Sequence, residues 1–229
     1  MKAGLSVAFE SARGTAGTAV FSNGHYGLVV KPRHKGRDPQ SPAQQRMRLI
    51  MSKASRAFRE LTDSQLEAWN AYAAGLTRVD AQTGHRYHPT AQTLFVGFAT
   101  KFLQANPAGS IPLYPPSSAF AGDQVRIAVS VAPGEITFTA DRPNAPGVTT
   151  ELLLQPLASR VRKAYEKEFR TQAFRSFEDG ELSATLAVEP GYYAAATRFV
   201  NTATGQTAPL QPFPGVLTVQ WGAETGEAA

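Results

Sequence analysis

The chain contains no cysteine among its 229 residues, which excludes a disulfide framework, a thiolate nucleophile and a cysteine-ligated metal, and leaves the core to hold by packing alone. Histidine is nearly as scarce, since His25, His34, His85 and His88 are the full set and all lie in the first half. The apolar run after Met1-Lys2-Ala3-Gly4 is far shorter than a secretory core or a membrane span requires, so neither export nor insertion is expected. No Gly-x-Ser-x-Gly elbow occurs and no histidine falls in the second half, which leaves a hydrolytic triad without its parts. Gly14-Thr15-Ala16-Gly17 lacks the lysine and the preceding strand of a phosphate-binding loop, so nucleotide hydrolysis is not supported.

What is present is ordinary in amount and uneven in distribution. The chain is 42% hydrophobic and 18% charged, the composition of a globular protein. Residues 1 to 105 carry 14 basic and 6 acidic side chains, a net +8, whereas residues 106 to 229 carry 9 and 12, a net −3. A basic half joined to a mildly acidic one suits an anionic partner or the acidic face of a neighbouring subunit.

Residues 3 to 17, rich in Gly, Ala, Ser and Thr, read as an extended arm that becomes ordered against something else. Thr18-Ala19-Val20-Phe21 and Tyr26-Gly27-Leu28-Val29-Val30 flank Ser22-Asn23-Gly24-His25, a hairpin over residues 18 to 32 in which Asn23-Gly24 supplies the turn. Lys31, Arg33, Lys35 and Arg37 then crowd a loop broken by Pro32 and Gly36, whose bland reading is a solvated connection. Three helices follow. Ser41 caps the first, with Pro42 at its first position and Gln44 closing a capping box, and the helix is expected to reach about Arg59. On a 100° wheel Ala43, Met47, Ile50, Ala54, Ala57, Phe58 and Leu61 share one arc. Arg48, Arg56 and Arg59 take the opposite one, with Lys53 at its flank. Thr62 and Gln65 form a second capping box, Leu61 and Leu66 a hydrophobic staple, and Gly75 a stop. Leu66, Trp69, Tyr72, Ala73 and Leu76 make that helix's apolar face. The third helix spans about Thr90 to Gln104, with Leu94, Phe95, Phe98 and Phe102 on one side.

The segment 106–118 is neither periodic nor helix-compatible and reads as a semi-rigid Pro-rich linker. Beyond it the period changes to two, with strands expected at 124–131, 135–140, 150–155, 173–177, 181–188, 192–201 and 215–221. The fold class is therefore α+β: a basic arm, hairpin and three-helix docking module over 1–105, and an immunoglobulin- or fibronectin type III-like β-sandwich over 119–229 with a loose tail. Pro190-Gly191-Tyr192-Tyr193 stands where such a sandwich places a tyrosine corner. Residues 157 to 170 fit either a charged strand or a short helical insertion.

Candidate chemistry is thin. His85 and His88, with Asp80 nearby in sequence, have metal-ligand spacing in a polar loop, where unliganded histidines are the commoner outcome. Glu166, Glu168, Glu178, Asp179 and Glu181 offer carboxylates without the geometry of an acid–base pair. The first two helices, joined by a turn of two or three residues, suit a helix-turn-helix in outline, but between Asp63 and Leu76 the second carries no Lys or Arg, which a groove-reading helix needs. No catalytic residue, metal or cofactor is assigned, and the chain is expected not to be an enzyme.

Gly17-Thr18-Ala19-Val20-Phe21-Ser22 with Tyr26-Gly27, Asp38-Pro39-Gln40-Ser41-Pro42-Ala43-Gln44, Leu61-Thr62 through Gln65 to Ala68-Trp69-Asn70, and Thr90 to Phe98 together resemble a family of proteins encoded in bacteriophages, prophages and some bacterial genomes. Asp38 stands where that family usually has asparagine, and 157–170 is longer here. Each motif residue has a structural explanation: Gly24 in a turn, Ser41, Pro42, Thr62 and Gln65 at helix starts, Trp69 and Phe98 in a core, Tyr192 at the sandwich corner. The resemblance implies a virion structural protein, capsid- or tail-associated and assembled in the host cytoplasm, in many copies among other virion proteins and without a membrane. Two alternatives stand beside it. One is a nucleic-acid-associated protein using Lys31, Arg33, Lys35, Arg37, Arg48, Lys53, Arg56 and Arg59 as a phosphate-contacting stripe. The other is a carbohydrate-binding adhesin using Tyr192, Tyr193 and Trp221.

Overall fold

The computed structural model describes residues 13–24, 27–33, 38, 40–79, 84 and 86–220. Lys35, Arg37, His25, His34, Asp80, His85, Trp221 and most of the expected arm lie outside them. The chain divides into two compact units, residues 1–45 and 46–229, so the division does not fall at the 106–118 segment where the sequence suggested one.

The first unit is a three-stranded antiparallel sheet of β1 (Gly14–Ala16), β2 (Ala19–Gly24) and β3 (Gly27–Pro32), in that order. Residues 14–16 are thus a paired strand rather than part of an arm, and Gly17, at φ 57°, makes the turn into β2. The Asn23-Gly24 turn is also corrected. Asn23 pairs with Leu28 and Gly24 with Gly27, so both belong to β2; residues 25 and 26 lie outside the described set. This register sets Phe21 opposite Val30, an aromatic to β-branched pair, and brings Leu28 to the same face.

Helix α1 (Pro42–Arg59) begins in the first unit and continues into the second. Ser41 Oγ accepts from the Gln44 amide at 3.4 Å, as its capping role requires. In the second unit α1 is followed by α2 (Asp63–Ala74), a short hairpin of β4 (Arg78–Val79) and β5 (Arg86–Tyr87), and α3 (Ala91–Ala105). The capping box of α2 is reciprocal: the Gln65 amide donates to Thr62 Oγ1 at 3.4 Å and the Thr62 amide to Gln65 Oε1 at 2.9 Å. Gly75 does end α2, but in a right-handed conformation with φ −74°, so the stop owes nothing to left-handed backbone. Ala54, Trp69, Ala73, Ala91, Leu94, Phe95 and Ala99 form the helical core. The Trp69 ring lies 5.3 Å from Phe95 and 6.0 Å from Phe98, edge-on or tilted, as aromatic quadrupoles favour. The apolar arc of α1 is only half used. Ala54 is buried, and Ala57, Phe58 and Leu61 pack beside it near the α1–α2 turn, whereas Ala43 and Met47 are exposed.

Residues 106–118 have no regular structure, yet they are fastened on both sides. Trp69 Nε1 donates to the Leu113 carbonyl at 2.9 Å, Asn106 Nδ2 to the Thr202 carbonyl at 2.8 Å, and Gln206 Nε2 to the Ser118 carbonyl at 2.9 Å. Ile111 packs into the helical core. The segment is a seam of the fold and not a free spacer.

The remainder is a β-sandwich of eight antiparallel strands: β6 (Ile127–Ala132), β7 (Glu135–Ala140), β8 (Val148–Leu157), β9 (Arg170–Arg175), β10 (Ser183–Ala187), β11 (Gly191–Asn201), β12 (Gln211–Pro212) and β13 (Leu217–Val219). One sheet has the order β10-β7-β6; the other runs β12-β11-β8-β9, with β13 also paired to β11. Ile136 and Phe138 from the first sheet meet Leu152, Leu154, Ala195 and Phe199 from the second. The last expected strand, 215–221, appears as the shorter β13, and β12 before it is a strand the sequence reading did not expect. Residues 157–170 resolve to an exposed connection with one 3₁₀ turn at Glu166–Glu168. Buried Gln155 pins it, donating to Glu168 Oε2 at 2.8 Å and accepting from the Tyr165 amide at 3.0 Å. The tyrosine corner belongs to Tyr193, whose hydroxyl donates to the Glu189 carbonyl at 2.8 Å. Tyr192 points to the opposite face, against Leu153 and Ala194.

That opposite face is the departure from a simple sandwich. Leu153, Leu157, Ala194 and Ala196 are buried there under Phe169, Leu210 and Val216, so β8 and β11 are covered on both faces. Gly205, which follows β11 with φ 74°, meets α3 so closely that a Cβ would collide with the Phe98 carbonyl oxygen and lie 3.0 Å from the Phe102 amide nitrogen. Gly205→Ala is therefore expected to lose well over the ~1–2 kcal/mol of left-handed strain alone. Gly134→Ala, at φ 73° with open space around its Cβ, should lose only that strain; urea denaturation of the two variants measures the difference.

Candidate functional site

Helix α1 carries Arg46, Arg48, Lys53, Arg56 and Arg59 and no carboxylate between Pro42 and Arg59. All five are exposed. Arg56 and Arg59 occupy the last turn, where the helix dipole favours cations. The structure thus keeps Arg48, Lys53, Arg56 and Arg59 together on one exposed surface. Lys31 and Arg33 are exposed in the first unit, at the end of β3 and just after it. Two exposed apolar side chains lie on the same helix, and the sequence reading did not single them out: Leu49 is 72% and Met51 50% exposed. At 100° per residue Leu49 lies between Lys53 and Arg56.

Next to this surface, α1 and α3 run antiparallel, with Met47 Sδ beside Gln104 Nε2 at 3.1 Å and the Phe58 ring 5.5 Å from Phe95. Between them lies a groove of about 470 Å³ lined by Met51 and Ser55 on one wall and by Gln92, Val96, Gly97 and Thr100 on the other. The Thr100 hydroxyl is buried without a hydrogen-bond partner among the described residues.

The strongest electrostatic feature lies where α3 meets the sandwich. Glu151 on β8 is fully buried, with side-chain exposure of 0%. Its Oε1 is 2.8 Å from Lys101 Nζ of α3; its Oε2 is 2.8 Å from both Arg198 Nε and Nη2 of β11. Arg198 stands directly opposite Glu151 in the β8–β11 register, and Thr171 of β9 donates its hydroxyl to Oε1. Lys101 also reaches Gln104 Oε1 at 3.1 Å and lies 5.6 Å from the centre of the Phe174 ring. Burial by itself pushes the Glu151 carboxyl up, but the two cations and the hydrogen bonds outweigh it and hold the group below the usual carboxylate range. Burial pulls the Lys101 ammonium down, against the opposing pull of Glu151. The cluster was not foreseen from the sequence. Its only signals are a lone charge in the apolar run Thr149 to Leu154 and another in Ala194 to Val200.

The other candidates separate. His88 Nδ1 donates to the Leu76 carbonyl at 2.8 Å, a tie between the 84–89 segment and the end of α2; its expected companions lie outside the described residues. Among the described residues no group of three His, Asp or Glu is placed to hold a metal, and no helix is long and apolar enough to cross a membrane. Glu166, Glu178, Asp179 and Glu181 are exposed, and Glu168 is engaged by Gln155. Tyr192 and Tyr193 alternate across β11 and so make no common platform for a sugar ring.

No protein-family model matches the chain, and no curated protein matches it. Among solved structures it is similar to the fn3 domain of human contactin 1, with 12% identity over 52% of this chain and 100% of that one, at a TM-score of 0.29. The fibronectin type-III domain of human fibronectin type III domain containing protein 3 matches at 11% identity over 49% of this chain and 100% of that one, with a TM-score of 0.29. The fn3 domain of human collagen alpha-1(XX) chain matches at 15% identity over 47% and 95%, with a TM-score of 0.28.

Removing Glu151 would strand two buried or half-buried cations, so Glu151→Ala is expected to cost roughly 3–5 kcal/mol. Lys101→Met should cost less, because Arg198 and Thr171 remain on the carboxylate. The pH dependence has a definite sign. The folded carboxyl is depressed, so its stabilisation is complete above the unfolded glutamate value of about 4.3 and is lost as pH falls through the folded value. Urea denaturation from neutral pH into that acidic range should show a shallower acid loss for Glu151→Gln than for the parent.

Proposed function

We propose that the protein is a non-enzymatic structural component of a bacteriophage particle, associated with capsid or tail, which docks through its basic helical surface and presents its β-sandwich. The observation that carries this reading is the surface of α1, where five exposed cations and no carboxylate flank the exposed side chain of Leu49, with Met51 exposed on the side of the helix that faces α3. Charge combined with apolar protrusions is the composition of a protein-binding surface, with anchors at its centre and a polar rim. The motifs that resemble the phage family supply the frame for that surface: Ser41 and the Thr62–Gln65 box fix the ends of the two helices, and Trp69 with Phe98 packs their core.

A second reading, contact with a nucleic-acid backbone, uses the same cations. It gives Leu49 and Met51 nothing to do, because phosphate recognition rewards donors and leaves exposed apolar groups in water. That difference favours a protein partner.

Mass spectrometry of purified, nuclease-treated particles tests the proposal, with the copy number set against the major capsid protein. A stoichiometric signal is expected; a count of about 6 or 12 would place the chain on the tail axis or connector, and a higher one on the shell. Incorporation should fall sharply in an Arg56→Glu/Arg59→Glu variant. Particles complete without the chain would contradict the proposal.

A further inference from the structure

We infer that the groove between α1 and α3 is the docking site for an acidic amphipathic helix of a partner protein. The inference rests on the assembly reading above and names the partner chemistry that reading leaves open. Four features meet there. Gly97 sits inside α3, exposed, at the groove wall, and a Cβ added to it would meet nothing within 4 Å. Glycine inside a helix is destabilising relative to alanine, and no packing among the described residues requires it; what its missing side chain provides is room for a second backbone. Met51, half exposed on the facing wall, is an unbranched thioether that adapts to an incoming apolar side chain. Thr100 lines the groove and carries a buried hydroxyl with no partner among the described residues. Arg59, four residues beyond Ser55 on the groove side of α1, is exposed and makes no ion pair among the described residues, while Lys101 at the groove end is committed to Glu151.

The occupant follows from these walls. Both are helices whose backbone groups are bonded internally, so a partner strand would find no edge to pair with, and recognition must run through side chains laid along a groove. From Gln92 to Lys101 the wall is about 14 Å long at 1.5 Å per residue, enough for two to three turns of a docked helix. Apolar residues of that helix would seat against Met51 and Val96, its closest approach would fall at Gly97, and its carboxylates would meet Arg59 at the groove edge.

The test is a selection on the full chain from an unbiased displayed library of peptides about 16 residues long, some four helical turns, with Gly97→Leu as counter-target. Enriched peptides are expected to carry carboxylates and apolar residues at helical spacing. Their binding should weaken with salt, and by about tenfold or more in Gly97→Leu and in Arg56→Glu/Arg59→Glu. Gly97→Ala should raise the thermal midpoint while weakening the same peptides, a combination that a purely structural glycine would not give. Circular dichroism establishes that the variants fold. Enrichment of neutral or basic peptides, equal binding to Gly97→Leu, or no enrichment at all would overturn the inference. Its failure is separable from that of the assembly reading: particles that still incorporate the chain through Arg56 and Arg59 would leave that reading standing while the groove fell.

Discussion

The second unit depends on one buried carboxylate. Glu151 lies in the middle of β8, on the face of the sheet that a free-standing sandwich would show to water, and it is fully buried. A charge in that position costs several kcal/mol of desolvation unless it is paired and its remaining lone pairs are filled. Three elements meet the requirement together: Arg198 from the neighbouring strand, Thr171 from the strand on the other side, and Lys101 from the third helix. The first two come with the sheet. The third obliges α3 to lie on that sheet, and because the bonds are directional they set its position more narrowly than apolar contact would. Gly205 then allows the backbone after β11 to approach the Phe98–Phe102 turn, and Asn106 anchors the end of the helix to the Thr202 carbonyl.

A consequence for function follows from this docking. Because α3 is held by the sandwich and α1 packs on α3 and α2, the cationic stretch of α1 from Arg46 onward is carried in a fixed relation to the β-sheets. A surface presented on a rigid base loses less conformational entropy on binding than one on a tethered module. That is the mechanical quality the proposed assembly role needs, and it gives the basic charge of α1 a direction.

Local signals were legible where local chemistry decides. The helix starts at Ser41-Pro42 and Thr62 and the periodic faces of α2 and α3 could be read directly, because caps and 3.6-residue periodicity are short-range. The β-sandwich could be read from its period of two. The expectations that failed are the ones settled by tertiary contact. Asn23-Gly24 has the chemistry of a turn, but in the register that pairs Phe21 with Val30 both residues belong to β2. The proline-rich 106–118 segment looks like a spacer until Trp69, Thr202 and Gln206 are seen to fasten it. Leu152-Leu153-Leu154 and Ala194-Ala195-Ala196 break the alternation of a one-sided sheet, and in hindsight they mark strands buried on both faces. Lys101, Glu151 and Arg198 are each unremarkable in their own windows, and only the fold brings them within 3 Å. On α1, helical periodicity identified the arc that could be buried but not how much of it would be, which is why Leu49 and Met51 went unnoticed.

The claim on which the rest stands is that the helices and the sandwich form one cooperative body through the Glu151 cluster. Native-state hydrogen exchange across the full chain tests it most directly, by comparing the opening free energies of α3 amides with those of β8 and β11. Equal values that fall together when denaturant is added would show a single unit locked at that interface. Exchange of α3 at a distinctly lower free energy, with the strands unaffected, would show a helical module merely resting on an independent sandwich and would contradict it.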